Sequence, residues 1–204
     1  MRRIGALAGL AAIVALAFAV VAVPAVAAEK YVKNDDKPLD DARRPAPGKA
    51  LVYFARPQLM GAAVKVKLYG DGEFLGIITS EGYIPWEGDP GKHEFIVASE
   101  NAGFLVAEFA PDKIYYVQVA IHMGAMKART HFEVARPKSE ALDEVSKKHD
   151  QLRLITTTEE GLAWVTEEKA DIDKTIAKFR AKGEEFETLN PDDGWDAPPW
   201  SGGK

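Results

Sequence analysis

The stretch VKLYGDGEFLGII, residues 66–78, places glycines at 70, 72 and 76, and how those glycines are read decides the architecture. A dinucleotide-binding loop needs glycines in the order G-x-G-x-x-G opening a helix, so that helix N-terminal amides meet the phosphate. Here the third glycine comes one residue late, between Leu75 and Ile77. The Gly-Lys-Ser/Thr of a P-loop is also missing. Asp71-Gly72 instead supplies the positive φ that a tight hairpin demands, and Gly76 marks a bulge or a close backbone approach. The segment is therefore a strand, a turn and a strand.

Working outward, short apolar runs recur at roughly ten-residue intervals between turn signals, the signature of an all-β sandwich or barrel. They are 50–55, 63–69, 73–78, a short run within 83–91, 92–99, 104–110, 114–122 and 126–134. In the last of these, Met126, Ala128, Thr130, Phe132 and Val134 alternate with Lys127, Arg129, His131 and Glu133, so one face is apolar and the other polar. The expected fold is mainly β, an antiparallel β-sandwich of about eight strands over 49–136, followed by a C-terminal helical extension over 137–186.

The ends have a different texture. Residues 1–28 combine Arg2 and Arg3, an apolar run over 4–23, and Pro24 before small residues, the pattern of a cleavable secretory signal. The alternative is an anchor through 4–23, since about twenty apolar residues span a bilayer. Removing 1–28 takes Arg2 and Arg3 with it and shifts the formal charge from -5 to -7. That balance argues against nucleic acid and against docking on anionic lipid. No cysteine is present, which excludes disulfides, a lipid-bearing cysteine and thiolate chemistry. Residues 29–48 read as a polar, proline-rich linker and 187–204 as a disordered tail. Within the extension, Thr157 and Glu160 have the form of a capping box, opening a helix from about Glu159 to Lys182 with an apolar stripe from Leu162 to Phe179. That stripe suits packing on its own domain or on a second copy of the chain.

Four motifs assemble into a resemblance. They are Tyr53-Phe54-Ala55-Arg56-Pro57, Asp71-Gly72, Pro90-Gly91-Lys92-His93, and Tyr115-Tyr116 with Met123-Gly124. Over about residues 49–135 the chain resembles the bacterial domain of unknown function 2846 family. The resemblance implies a compact exported β-domain and brings no activity, cofactor or catalytic set with it. Many members look like lipoproteins, and this chain departs from them in having no lipid-bearing cysteine.

No catalytic, cofactor or metal site emerges from the residues. A turn at Gly124 makes paired numbers in the last hairpin sum to about 248, which sets His122 and His131 some five rungs, or roughly 16 Å, apart. They are then too distant for zinc, whose ligands lie about 2.1 Å from the ion. No G-x-S-x-G elbow occurs. Glu108 and Glu133 stand in apolar strands and are the candidates for a carboxylate-dependent hydrolase of envelope glycans, although each also fits a solvent face. Aromatics carry the binding reading: Tyr83, Trp86 and Tyr116 are the candidate ligand-contacting residues. Adjacent Tyr115 and Tyr116 must point to opposite faces, and Trp195 and Trp200 form a candidate docking motif in the tail. The expectation is a periplasmic or secreted, non-enzymatic binding or structural module whose partner is an envelope protein or glycan. It uses no cofactor, and it touches membrane only if the signal is retained.

Overall fold

The computed structural model describes residues 30–40, 42–123, 128–183 and 186–201. The expected signal segment 1–28, with its alternative as an anchor over 4–23, lies outside them. Among the described residues no helix is long and apolar enough to cross a membrane.

The protein is mainly β. The eight expected runs form β2 (Ala50–Arg56), β3 (Val66–Gly70), β4 (Glu73–Ile78), β5 (Gly82–Gly88), β6 (Gly91–Ala98), β7 (Ala102–Phe109), β8 (Ile114–Met123) and β9 (Ala128–Val134). Three further strands correct the count to eleven among the described residues: β1 (Val32–Pro38), β10 (Arg153–Thr157) and β11 (Phe186–Leu189). They fall in the segments read as linker, helical extension and the start of the tail. Each is short or polar and lacks a clean alternation, so its strand character comes from the sheet edge it pairs with.

A six-stranded sheet runs β1-β10-β5-β2-β8-β9 and a five-stranded sheet runs β11-β7-β6-β3-β4. Both are mixed, which corrects the purely antiparallel expectation. The pairs β2/β8, β10/β5 and β11/β7 are parallel. Parallel neighbours need long crossovers, and apolar alternation reports which face is buried but not which way the neighbouring strand runs.

The inner faces bury Val52 and Phe54 of β2, Leu68 of β3, Phe95 of β6, Leu105 of β7, Val117 and Val119 of β8, and Phe132 of β9 in one core. The opening hairpin combines both glycine readings. Asp71 (φ 50°) and Gly72 (φ 84°) occupy the left-handed positions of a tight turn. Leu75 is bulged out where Leu68 pairs Gly76 and Tyr69 pairs Phe74. A Cβ on Gly76 would stand 2.9 Å from Ile84 Cδ1, so a side chain there would have to displace Ile84 of the other sheet.

The motif residues hold the frame together. Arg56 is fully buried and donates to the carbonyls of Gly61 (2.6 Å), Val64 (2.7 Å) and Met60 (3.3 Å), pinning the β2–β3 loop. Burial pushes its pKa down to about 10. His93 Nδ1 lies 2.6 Å from Asp71 Oδ2, and its ring packs on Trp86 and Phe109. It thereby staples one turn to the next.

Helices pack on both outer faces. Helix α1 (Glu140–Lys148), capped by Ser139, packs Ala141 and Val145 on the six-stranded sheet. Helices α2 (Glu159–Glu167) and α3 (Lys169–Lys182) break at Glu168 and lie over the five-stranded sheet, where Ile176 and Phe179 meet Ile96 and Phe104. The single helix expected from Glu159 to Lys182 is thus two. The cap is Thr158, which accepts from the Gly161 amide, while Thr157 accepts from the Ile77 amide in β4. Much of the stripe from Leu162 to Phe179 is therefore used within the chain, although Leu162 itself is exposed.

Candidate functional site

Strand β10 pairs with β5 only at Gly82 and Tyr83. Beyond that point β5 is an edge, the position in a sheet that tolerates Pro85. Residues 37–40, 42 and 43 form an arch beside this uncovered stretch and, with Tyr53, Tyr83, Pro85 and Leu154 as floor, line an open cavity of about 680 Å³. The Tyr83 hydroxyl donates to the Pro38 carbonyl (3.1 Å) and the Tyr53 hydroxyl to that of Asp40 (3.4 Å). These bonds tie the arch down and leave the rings as the apolar surface. Burial, reinforced by Asp40, raises the pKa of Tyr83. Lys37, Asp40 and Arg43 complete the rim, and Arg43 reaches Glu87 at 3.3 Å.

The three candidate aromatics do not converge. Tyr83 and Tyr116 lie on the outer face of the six-stranded sheet. Trp86 packs against the inner core, edge-on to Phe95 and His93. Tyr116 is buried under Trp200, with ring centroids 4.7 Å apart, and stacks on Tyr53 at 5.5 Å. Tyr115, as its neighbour's opposite, joins the inner core. Of the three, only Tyr83 lines the cavity; Tyr53 joins it there. Alternation along β2 and β5 places Tyr53 and Tyr83 on one face, but their adjacency needs the β2/β5 register.

The C-terminal segment is folded back on the sheet. Trp195 exchanges backbone hydrogen bonds with Ile114 (2.8 and 2.9 Å), and Trp200 also stacks on His149. Arg136 holds it in place through Asp193 and Glu187. The two tryptophans therefore cover their own sheet, which replaces the disordered-tail expectation over the described residues 187–201.

The carboxylates lie apart. Leu105, Ala107 and Phe109 of β7 face the core, so exposed Glu108 faces outward from the five-stranded sheet. Phe132 and Val134 of β9 are likewise core residues, which turns Glu133 outward from the six-stranded sheet. Two groups on opposite outer faces cannot flank one glycosidic bond.

The histidine spacing is corrected by the register. Met123 pairs with Ala128 and His122 with Arg129, so paired numbers sum to 251; the turn, residues 124–127, lies outside the described residues. The move from 248 to 251 is an odd shift of the ladder, which also swaps the faces that meet. His131 now faces Ala120 and is a diagonal neighbour of His122, with rings stacked at 4.3 Å. Glu133 Oε1 lies 2.8 Å from His131 Nε2 and 3.9 Å from His122 Nε2. The hydrogen bond from His131, opposed by partial burial, holds the Glu133 carboxyl below the ordinary glutamate range.

Neither a protein-family model nor a curated protein sequence matches this chain.

Proposed function

We propose that the protein is an exported, non-enzymatic binding module of a bacterial envelope, related to the domain of unknown function 2846 family, whose ligand is a sugar ring of an envelope glycan. The observation that carries this reading is the cavity over β5. Its floor is two tyrosine rings whose hydroxyls are already committed to the arch, and its rim offers Lys37, Asp40 and Arg43. A pyranose has apolar faces that suit an aromatic floor and hydroxyls that suit a charged rim. The helical extension has a structural role, because α3 lies on its own sheet. The apolar run near the N-terminus and the missing cysteine favour release into the periplasm or beyond over a lipid tether.

The test is a titration of the purified full chain with short N-acetylated amino-sugar oligosaccharides, followed by tyrosine fluorescence and amide chemical shifts. Saturable binding is expected, with shifts at Lys37–Arg43 and β5. Tyr83→Leu should weaken it at least about tenfold, the size of one lost aromatic contact, while Tyr83→Phe keeps most of it. Absence of saturable binding, or equal binding by Tyr83→Leu, would reject the cavity as the ligand site.

A further inference from the structure

We propose that the β8–β9 hairpin carries a zinc(II) site built from His122, His131 and Glu133, independent of the cavity. The three ligand atoms lie within 4.8 Å of one another. Tetrahedral zinc with bonds near 2.0–2.1 Å needs neighbouring donor atoms about 3.4 Å apart. The distances from Glu133 Oε1, 2.8 Å to His131 and 3.9 Å to His122, straddle that value. Closing the site requires that the first contact open, that the second shorten, and that the two imidazole nitrogens, which lie within 4.8 Å of each other, come to the same spacing.

The freedom to move lies where it is needed. The His122 side chain is 67% exposed, whereas that of His131 is 14% exposed. One ligand is thus held by the sheet, and the other swings onto the ion. Zinc would take the place of the proton between His131 Nε2 and Glu133 Oε1, and the neutral ring that ligates it carries its proton on Nδ1. Two imidazoles and a carboxylate form a borderline donor set that suits zinc rather than magnesium or calcium, and they leave a fourth position open to water.

A second observation supports a ligand here. Gln118 pairs across the ladder with Glu133, and its amide nitrogen donates to Glu144 at 2.7 Å. Its Oε1 is buried with no partner among the described residues. A buried acceptor left open normally has a water or an ion nearby to satisfy it, and a zinc-bound water on the adjoining rung would serve. Arg129, opposite His122 in register, works against the cation, since like charges on facing positions repel.

The experiment is competition for zinc between a chromophoric chelator and the metal-stripped full chain, beside His122→Gln, Glu133→Gln and Arg129→Gln, with cobalt(II) as a spectroscopic stand-in. One ion per chain is expected, with the visible bands of four-coordinate cobalt. His122→Gln and Glu133→Gln should each weaken binding at least about tenfold, and Arg129→Gln should tighten it about two- to fivefold. His122 is exposed enough that its replacement leaves the fold intact, as circular dichroism will show, so its result stands by itself. No zinc bound at equimolar micromolar concentrations, or the same affinity in His122→Gln as in the parent, overturns the site. Neither result touches the cavity, whose oligosaccharide titration contains no metal.

Discussion

On the outside of the five-stranded sheet, α3 lays Ile176 and Phe179 over Ile96 and Phe104. Arg180 spans both oxygens of Glu94 at 2.6 and 2.8 Å while its guanidinium lies over the Phe104 ring. On the outside of the six-stranded sheet, α1 and the C-terminal segment cover Tyr116 and its neighbours but leave the His122 side chain exposed. The cavity lies at one side of that face, beside β5 and β10, and the His122, His131 and Glu133 cluster at the other, on β9. The first face is closed by helix packing and serves stability. The second is closed piecemeal, and the gaps in its cover hold the two proposed sites.

Substitutions can break or sharpen this contrast. The largest effect is expected from Phe104→Ala on the helix-covered face. It removes a buried ring beneath α3 and should destabilise the chain by about 3–5 kcal/mol, read from urea unfolding, with zinc and oligosaccharide affinities unchanged in the folded fraction. A change in either affinity would mean that the two faces are coupled. Gly76→Val attacks the seam between the sheets, where a side chain would meet Ile84. A loss of about 1–3 kcal/mol from overpacking is expected, and a neutral thermal melt would show that Ile84 can move aside.

Trp200→Ala tests the piecemeal cover. Losing its contacts with Tyr116 and His149 should cost about 1–2 kcal/mol and raise amide hydrogen exchange along β8 more than along β7. Equal exchange on both strands would remove the asymmetry on which the contrast rests.

The smallest effect concerns pH. Burial works against ionisation of Asp71, but hydrogen bonds from the Glu94 amide and His93 outweigh it and hold its carboxyl below the usual range. A depressed folded pKa contributes stability that is fully present above the unfolded value of about 3.9 and lost as pH falls through the folded value. Asp71→Asn, which keeps a residue tolerant of the left-handed turn, should therefore destabilise the protein at pH 7 and converge with the parent in strong acid. Because the Asp71 side chain is 48% exposed, solvent screening keeps the difference under about 1 kcal/mol. Parallel denaturation curves at pH 7 and pH 2.5 will measure it.

Much of the β-domain was legible because its signals are local. Asp71-Gly72 specifies its turn through the φ values those residues tolerate. Alternation in β9 predicted that Phe132 and Val134 face the core with His131 and Glu133 outward, and adjacency alone separated Tyr115 from Tyr116. The candidate sites were much less legible. Tyr83 could be nominated as a surface aromatic, and its three-residue spacing from Trp86 within one strand already turns that ring to the opposite face, but nothing local revealed that Tyr53 shares its cavity. The histidine cluster was missed through the register, since one assumed turn position moved His131 from beside His122 to a site several rungs away.

By itself, the sequence determined roughly where β2 to β9 begin and turn and which of their side chains share a face, because backbone preference and period-two alternation act over a few residues. Tertiary structure alone decided that β1, β10 and β11 are strands, that three pairs run parallel, that the C-terminal tryptophans cover a sheet, and that two histidines and a glutamate meet. These features depend on edges, crossovers and a ladder register, and each draws its energy from residues far away in the chain.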